Sequence, residues 1–400
     1  MNKWWIKKTF RAVVAKMPMI FHRLMTKEKI RQLSKHLMTE EDLKICENDF
    51  SRRDAIVEKY RLKYPKAEKL FERKLEDLLK HNPLLKQVTD LESVKKDIRF
   101  CWYGYGFHPD EYMFFDLGGV NKDSEKRRTF VSEQERVCFR FSVNDFSDSL
   151  LSDKADAFNR LRKYYKRNAL VIDRKTSFEE FERFVKGKKE FVEKFVSSSR
   201  GQAVKLIIVS EIQKKDYFKK LKKQGRFLLE DRMIQSAVLD QWSTSLNNIR
   251  VSTFRTGRGI LPICGFFTMG RKGTFVVNAT IGCVFAAIDV KTGLICSKGC
   301  DELGNRYITH PDNGLVIEGF QLPEWNHAIA LCIEIADKLD NFAYVSFDLA
   351  HTVKGWDVVE INPSGQFLHQ AGTLEGFRQE LIKLTADMAQ LAPYDLKRRK

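Results

Sequence analysis

Two apolar runs, Ala343–Leu349 and Trp356–Ile361, are separated by a Lys354-Gly355 turn and read as a strand hairpin. Each run carries an acid where a buried strand should have none. Asp348 interrupts the first, Glu360 the second, and Asn362 stands two residues beyond Glu360. Residues two apart on a strand share a face, so Glu360 and Asn362 project together while Val359 and Ile361 point the other way. The turn folds Asp348 alongside them. Two carboxylates and an amide oxygen on adjacent strands form a hard-oxygen cluster suited to Mg²⁺, which takes one or two carboxylates plus phosphate oxygens. An acid ending an apolar strand is costly unless something pairs with it. The plainer reading, a solvated strand face, would serve for an isolated Glu-x-Asn. The acid upstream of it argues otherwise.

Around this hairpin the chain alternates between helical and strand texture. From Glu40 to about Asp97 the pattern is helical, broken near Pro65 and Pro83, with Tyr60, Leu62, Leu70, Phe71, Leu75, Leu78 and Leu79 as its buried face. The aromatic, glycine-rich stretch Cys101–Pro109 reads as turns at Gly104 and Gly106; no third glycine completes a nucleotide fingerprint. Helices are expected over Lys154–Lys166 and Ser177–Val185, and strands over Ala169–Ile172, Phe191–Val196, Val204–Val209 and Phe227–Glu230. From Asn248 to Ser297, β-branched and aromatic runs separated by glycine predict an antiparallel meander. Helices over Glu324–Leu339 and 374–391 complete an α+β chain.

Composition excludes several classes. With 43% hydrophobic and 31% charged residues the chain is not disordered. Its longest uncharged stretch, Gly273 to Ile288, contains Asn278, Thr280 and two glycines and falls short of the roughly 20 apolar residues of a spanning helix. Arg11 and Lys16 interrupt any secretory h-region, so no leader is expected. Eight cysteines without a CxxC pair suit reduced cytosolic thiols better than disulfides or zinc.

The net charge of +17 is uneven, because residues 1–38 hold ten Lys/Arg against one acid, Glu28. Residues 3–25 predict a helix with Ile6, Phe10, Val13, Met17 and Leu24 along one stripe and Trp4 and Trp5 at its start. Tryptophan beside lysine suits an anionic bilayer surface, where each basic residue contributes about 1 kcal/mol. Docking of the stripe on the protein's own core is the other reading. No nucleic-acid motif accompanies the charge.

At this point the chain resembles the ATP-grasp superfamily. Asp348, Glu360 and Asn362 match its magnesium ligands. Lys154 resembles the first phosphate-binding lysine, Lys194 the second, and the segment through Gly201 the loop that covers the phosphates. Phe195 stands where members usually have proline, and the loop has a single glycine. Leu228–Gln235 resembles the hinge that binds adenine, with Glu230 and Gln235 as nucleotide contacts. An ordered set (Asn247 and Arg250; Asn278 and Gly282; Asp289 and Gly293; His310 and Gly314; Gly319, Pro323 and Trp325) is similar to one subfamily, the sugar-transfer-associated ATP-grasp proteins of bacterial surface-polysaccharide gene clusters.

That resemblance implies an α+β ATP-grasp fold, two α+β subdomains gripping ATP behind a mainly helical N-terminal region. Residues 1–39 would form the basic helix, 40–150 the helical and turn-rich region, 151–235 the lid, and 236–395 the subdomain with the metal site. It also implies ligation of a small-molecule or glycan carboxylate to an amine, dependent on ATP and Mg²⁺ and passing through an acyl phosphate. Arg250 would clamp the transferring phosphoryl group; a structural ion pair is its plainer reading, as a solvated helix lysine is for Lys154. Gln366 and Gln370 would reach the acceptor. His310 reads as a turn residue, and His351 and His369 lack ligand spacing. The setting would be cytoplasmic, or peripheral on the inner membrane face through residues 1–25. The Asn-Pro-x-Gly-Gln run also resembles ATP-grasp peptide maturases, and a non-catalytic binding protein is the reading from another class.

Overall fold

The computed structural model describes residues 28–145, 151, 153–196, 204–273 and 282–386. The helix expected over 3–25, Gly201 and Asn278 lie outside them.

Residues 40–105 fold as four helices, Glu40–Asn48, Phe50–Lys63, Pro65–His81 and Leu91–Tyr105. Local chemistry sets their ends: Thr39, Asp49 and Asp90 accept from backbone N–H groups of the first turns, and Pro65 opens the third helix. The fourth runs straight through Gly104, where a turn was expected. A side chain there would press on Phe100 and Leu43, so the glycine serves close helix packing. Gly106, in the left-handed region at φ 80°, ends that helix. Shorter helices Pro109–Phe114 and Ser124–Thr129 follow, then Glu133–Val143, opened by a Ser132/Glu135 capping box.

The next lobe carries a four-stranded antiparallel sheet of β1 (Ala169–Ile172), β2 (Glu190–Phe195), β3 (Val204–Ile208) and β4 (Phe227–Glu230), in the order β1-β4-β2-β3. Helices Phe178–Val185 and Lys214–Gln224 cover one face through Phe181, Val185, Phe218 and Leu221. Helix Lys154–Arg160 is shorter than expected and passes into a 3₁₀ turn at Arg162–Tyr164.

The second lobe is a seven-stranded antiparallel sheet ordered β11-β10-β5-β6-β7-β8-β9. Its strands are β5 (Asn248–Thr256), β6 (Gly259–Met269), β7 (Val284–Ile288), β8 (Gly299–Cys300), β9 (Arg306–Tyr307), β10 (Tyr344–Thr352) and β11 (Gly355–Asn362). Both faces are covered. Ile249, Val251, Phe267, Val345 and Phe347 pack in the core shared with helix Trp325–Asp337. Phe254, Cys264 and Tyr344 meet Val131, Phe139 and Val143, while Phe266 and Phe285 join the core of the N-terminal helices. Two-sided burial explains the near-continuous apolar runs of the sequence. Among the described residues no helix is long and apolar enough to cross a membrane.

Candidate nucleotide and metal site

The site grows out of the β10–β11 register. Asp348 and Glu360 are direct cross-strand partners and Ser346 faces Asn362. A bulge follows, because Leu349 pairs with Val358 and leaves Val359 without a partner in register. The extra residue lets Val358 and Ile361 both enter the core while Glu360 stays on the face of Asp348. On β10's other flank, Arg250 of β5 faces Asp348.

Side chains close the group. Arg250 grips Asp348 with two bonds, Nε to Oδ1 at 2.5 Å and Nη2 to Oδ2 at 2.7 Å, and its Nη1 donates to Gln366 Oε1 at 2.8 Å. Asn362 Nδ2 donates to Asp348 Oδ2 at 3.2 Å. Lys154 Nζ comes within 3.3 Å of Glu360 Oε1, directly after the Asp153 cap that starts its helix. Burial works against the Arg250 charge, yet Asp348 outweighs it and holds the guanidinium ionised. The expected residues Lys154, Arg250, Asp348, Glu360 and Asn362 therefore come together. Arg250 is engaged by a carboxylate, the bidentate pairing that was its plainer reading.

Lys194 belongs to a second group. Its Nζ meets Glu230 Oε2 at 2.5 Å, and Glu230 Oε1 accepts from Arg167 Nη2 at 2.7 Å. Arg167 Nη1 continues to Asp357 Oδ2 at 3.2 Å and the Val358 carbonyl at 2.6 Å, on the strand that carries Glu360. Burial alone would raise the Glu230 carboxyl, but Arg167 and Lys194 together hold it below the ordinary range. Neighbouring Glu193 faces away from Lys194 and accepts from the Tyr217 hydroxyl. A cleft of about 340 Å³ opens beside the hinge, lined by Arg167, Met233, Ile234, Thr352 and Lys354 among others.

Several expectations land elsewhere. Gln235 was read as a nucleotide contact, but its amide is committed to the chain: Nε2 donates to Ser243 O at 2.9 Å and Oε1 accepts from Asn247 N at 2.7 Å. Glu230 was read likewise, and its carboxylate is spent on Arg167 and Lys194. Gln370, read as reaching the acceptor, is fully buried and bonds Val131 N, Val131 O and Phe377 N. His310 bonds Gly270 O, and His351 bonds Ser236. His369 packs against Phe377, and burial pushes its ring down to about 3, so it stays neutral. Sequence reasoning missed Arg167 and Asp357, 5% and 2% exposed, because Lys166-Arg167 looks like any solvated basic pair.

The donor set fits a hard divalent cation. Asp348, Glu360 and Asn362 offer carboxylate and amide oxygens only, and the amide that bonds Asp348 through its nitrogen keeps its oxygen for another partner. Among the described residues no group of three or more His, Cys, Asp or Glu is placed to hold a metal ion.

The family described as sugar-transfer associated ATP-grasp matches residues 166–384, more than half of the chain. No curated protein matches. Solved structures overlap more distantly. N5-carboxyaminoimidazole synthetase from Staphylococcus aureus is 9% identical at a TM-score of 0.36, covering 59% of this chain and 52% of its own. The D-alanine-D-alanine ligase from Coxiella burnetii is 12% identical at 0.33, covering 57% and 53%. The ATP-grasp ligase PsnB, complexed with minimal precursor, is 12% identical at 0.33, covering 55% and 53%. The chain thus spans about half the length of these structures, and TM-scores this low bear no argument. The family match covers both the hinge and the metal-type strands: the chain belongs to the sugar-transfer associated ATP-grasp family.

Proposed function

We propose that this protein is an ATP- and Mg²⁺-dependent carboxylate–amine ligase acting through an acyl phosphate, in the biosynthesis of bacterial cell-surface polysaccharide. The observation that carries the reading is the approach of Lys154 to Glu360 beside the Asp348–Asn362 pair: a helix-start lysine meets the metal-type acids. Family membership supports the chemistry, and the subfamily description supports the setting.

Phosphoryl transfer asks a protein for positioning and charge, more than for covalent chemistry. Asp348, Glu360 and Asn362 would hold Mg²⁺, which would supply positive charge against that of the phosphates. Lys154 and Lys194 would turn from their carboxylates to the phosphates of ATP. Arg250 would stabilise charge on the transferring group with a planar fork that Gln366 already orients. The substrate carboxylate oxygen attacks the γ-phosphorus, giving acyl phosphate and ADP. The amine then displaces phosphate.

The test is the thermal stabilisation of the chain by ATP with Mg²⁺. Ligand at about 100 times its Kd adds roughly 2.7 kcal/mol, a visible rise in melting temperature. Wild type should show it, and Glu360→Ala and Asn362→Ala should abolish it. A wild-type chain indifferent to millimolar Mg·ATP would sink the proposal. ADP release that depends on a supplied acid and amine would then identify the substrates.

A further inference from the structure

We infer that Asn144 and Arg136, both N-terminal to the family-matched segment, are positioning residues for the loop that leaves the metal-type strand, and through it for Gln366 and Arg250. The functional part rests on the site reading above; the clamp itself stands on geometry alone.

Asn144 follows the helix Glu133–Val143. Its Nδ2 donates to Tyr344 O at 2.8 Å and to Pro363 O at 3.1 Å, and its Oδ1 accepts from Tyr344 N at 2.8 Å. Tyr344 is the first residue of β10, and Pro363 is the first beyond β11. One side chain therefore ties both open ends of the hairpin that carries Asp348, Glu360 and Asn362. Arg136, within that helix, donates from Nη1 to Ser364 O at 2.9 Å. Glu133 takes its other nitrogens, and its side chain is only 7% exposed.

Seating this helix requires no such polar grip. Val131, Phe139 and Val143 already pack it against Phe254, Tyr344 and Phe367. A deeply buried arginine is costly unless its partners are good, and one of the partners here is a loop carbonyl. What the grip adds is a fixed path for the backbone at Pro363 and Ser364. The path continues into Gly365, which passes so close to Ser346 and Tyr344 that no Cβ fits. Gln366 comes next, and its Oε1 accepts from Arg250, whose other nitrogens hold Asp348. Four residues of loop, Pro363 to Gln366, thus carry the position of the helix to the metal-type carboxylate.

The experiment compares the full wild-type chain with Asn144→Ala, Asn144→Asp, Arg136→Gln and Arg136→Lys. Asn144→Asp keeps the acceptor for Tyr344 N and loses both donors; Arg136→Lys keeps the charge and a donor. Hydrogen exchange of the ligand-free chain reads the clamp. In Asn144→Ala and Arg136→Gln, amides of 364–370 should exchange about tenfold faster, the factor expected for one lost hydrogen bond, with β5 and β6 unchanged. Arg136→Lys should restore most of the protection.

A Mg²⁺ titration of the ATP-dependent melting shift reads the function. The Mg²⁺ midpoint should rise severalfold, while the ATP midpoint at saturating Mg²⁺ stays put. A merely structural role would lower melting temperature without moving the Mg²⁺ midpoint. Exchange over 364–370 unchanged in Asn144→Ala and Arg136→Gln, or accelerated throughout the chain, overturns the proposal. Should Asn144→Ala fail to fold, Asn144→Asp and Arg136→Gln decide, both being expected to speed exchange over 364–370. Should wild type show no Mg·ATP shift, the site reading fails and the exchange result still rules on the clamp.

Discussion

Arg167 bonds Glu230, Asp357 and the Val358 carbonyl at 5% exposure, so one side chain ties β4 of the four-stranded sheet to β11 of the seven-stranded one. Arg167→Met would leave the buried Glu230 carboxylate with Lys194 alone and the buried Asp357 carboxylate with backbone N–H donors only. Breaking such a group by removing one partner costs about 3–5 kcal/mol, and chemical denaturation should show a loss of that order. A loss close to that of an exposed ion pair, about 1 kcal/mol or less, would mean water reaches the group. The same network sets an acid sensitivity. The folded Glu230 carboxyl titrates below its unfolded value, so its contribution is complete above the ordinary carboxylate pKa of about 4.3 and lost as pH falls through the folded value. Melting of Glu230→Gln should therefore depend less on pH below about 5 than that of wild type. None of this is visible in the sequence. The stretch from Arg162 to Arg167 has the composition of a solvated face, and only pairing with residues far along the chain reveals a buried cation.

At the scale of elements, legibility follows the range of the forces involved. The hairpin and meander were readable because period-two alternation and glycine turns are local signals, as with Gly355 at φ 81° between β10 and β11. The bulge at Val359 was not, since it depends on which residue of β10 lies opposite. Gln235 and Gln370 looked like ligand contacts because a polar residue near a site has the same letter whether it faces a substrate or braces a loop. Helix Lys214–Gln224 shows the converse: its lysines conceal an apolar face of Phe218 and Leu221. A prediction belongs to the loop after β11. Gly365→Ala would drive a methyl into Ser346 and Tyr344, and overpacking of that kind costs about 1–3 kcal/mol. The melting temperature should drop, and the stabilisation by Mg·ATP should shrink with it. A variant as stable as wild type would mean the loop has room that its contacts do not suggest.

For the whole molecule, the N-terminal helices and the large sheet share cores. Phe266, Phe285, Cys300 and Ala371 pack with Phe71, Trp102 and Phe107. A fragment of residues 151–386 would expose that face together with Phe254 and Tyr344, a large apolar patch that favours aggregation. Expressed alone, it should show no cooperative melting transition, whereas the full chain should. A soluble, sharply melting fragment would show the helices to be dispensable. The tie from Asn144 to Tyr344 also bears on the order of assembly, because the two are 200 positions apart in the chain. A ribosome delivers the helix first and the hairpin only after some two hundred further residues. Until the hairpin emerges, Asn144 has neither end to hold, and β5 lacks the neighbour that brings Asp348 to Arg250. A chain interrupted before that point carries Lys154 and Lys194 without Asp348 and Glu360.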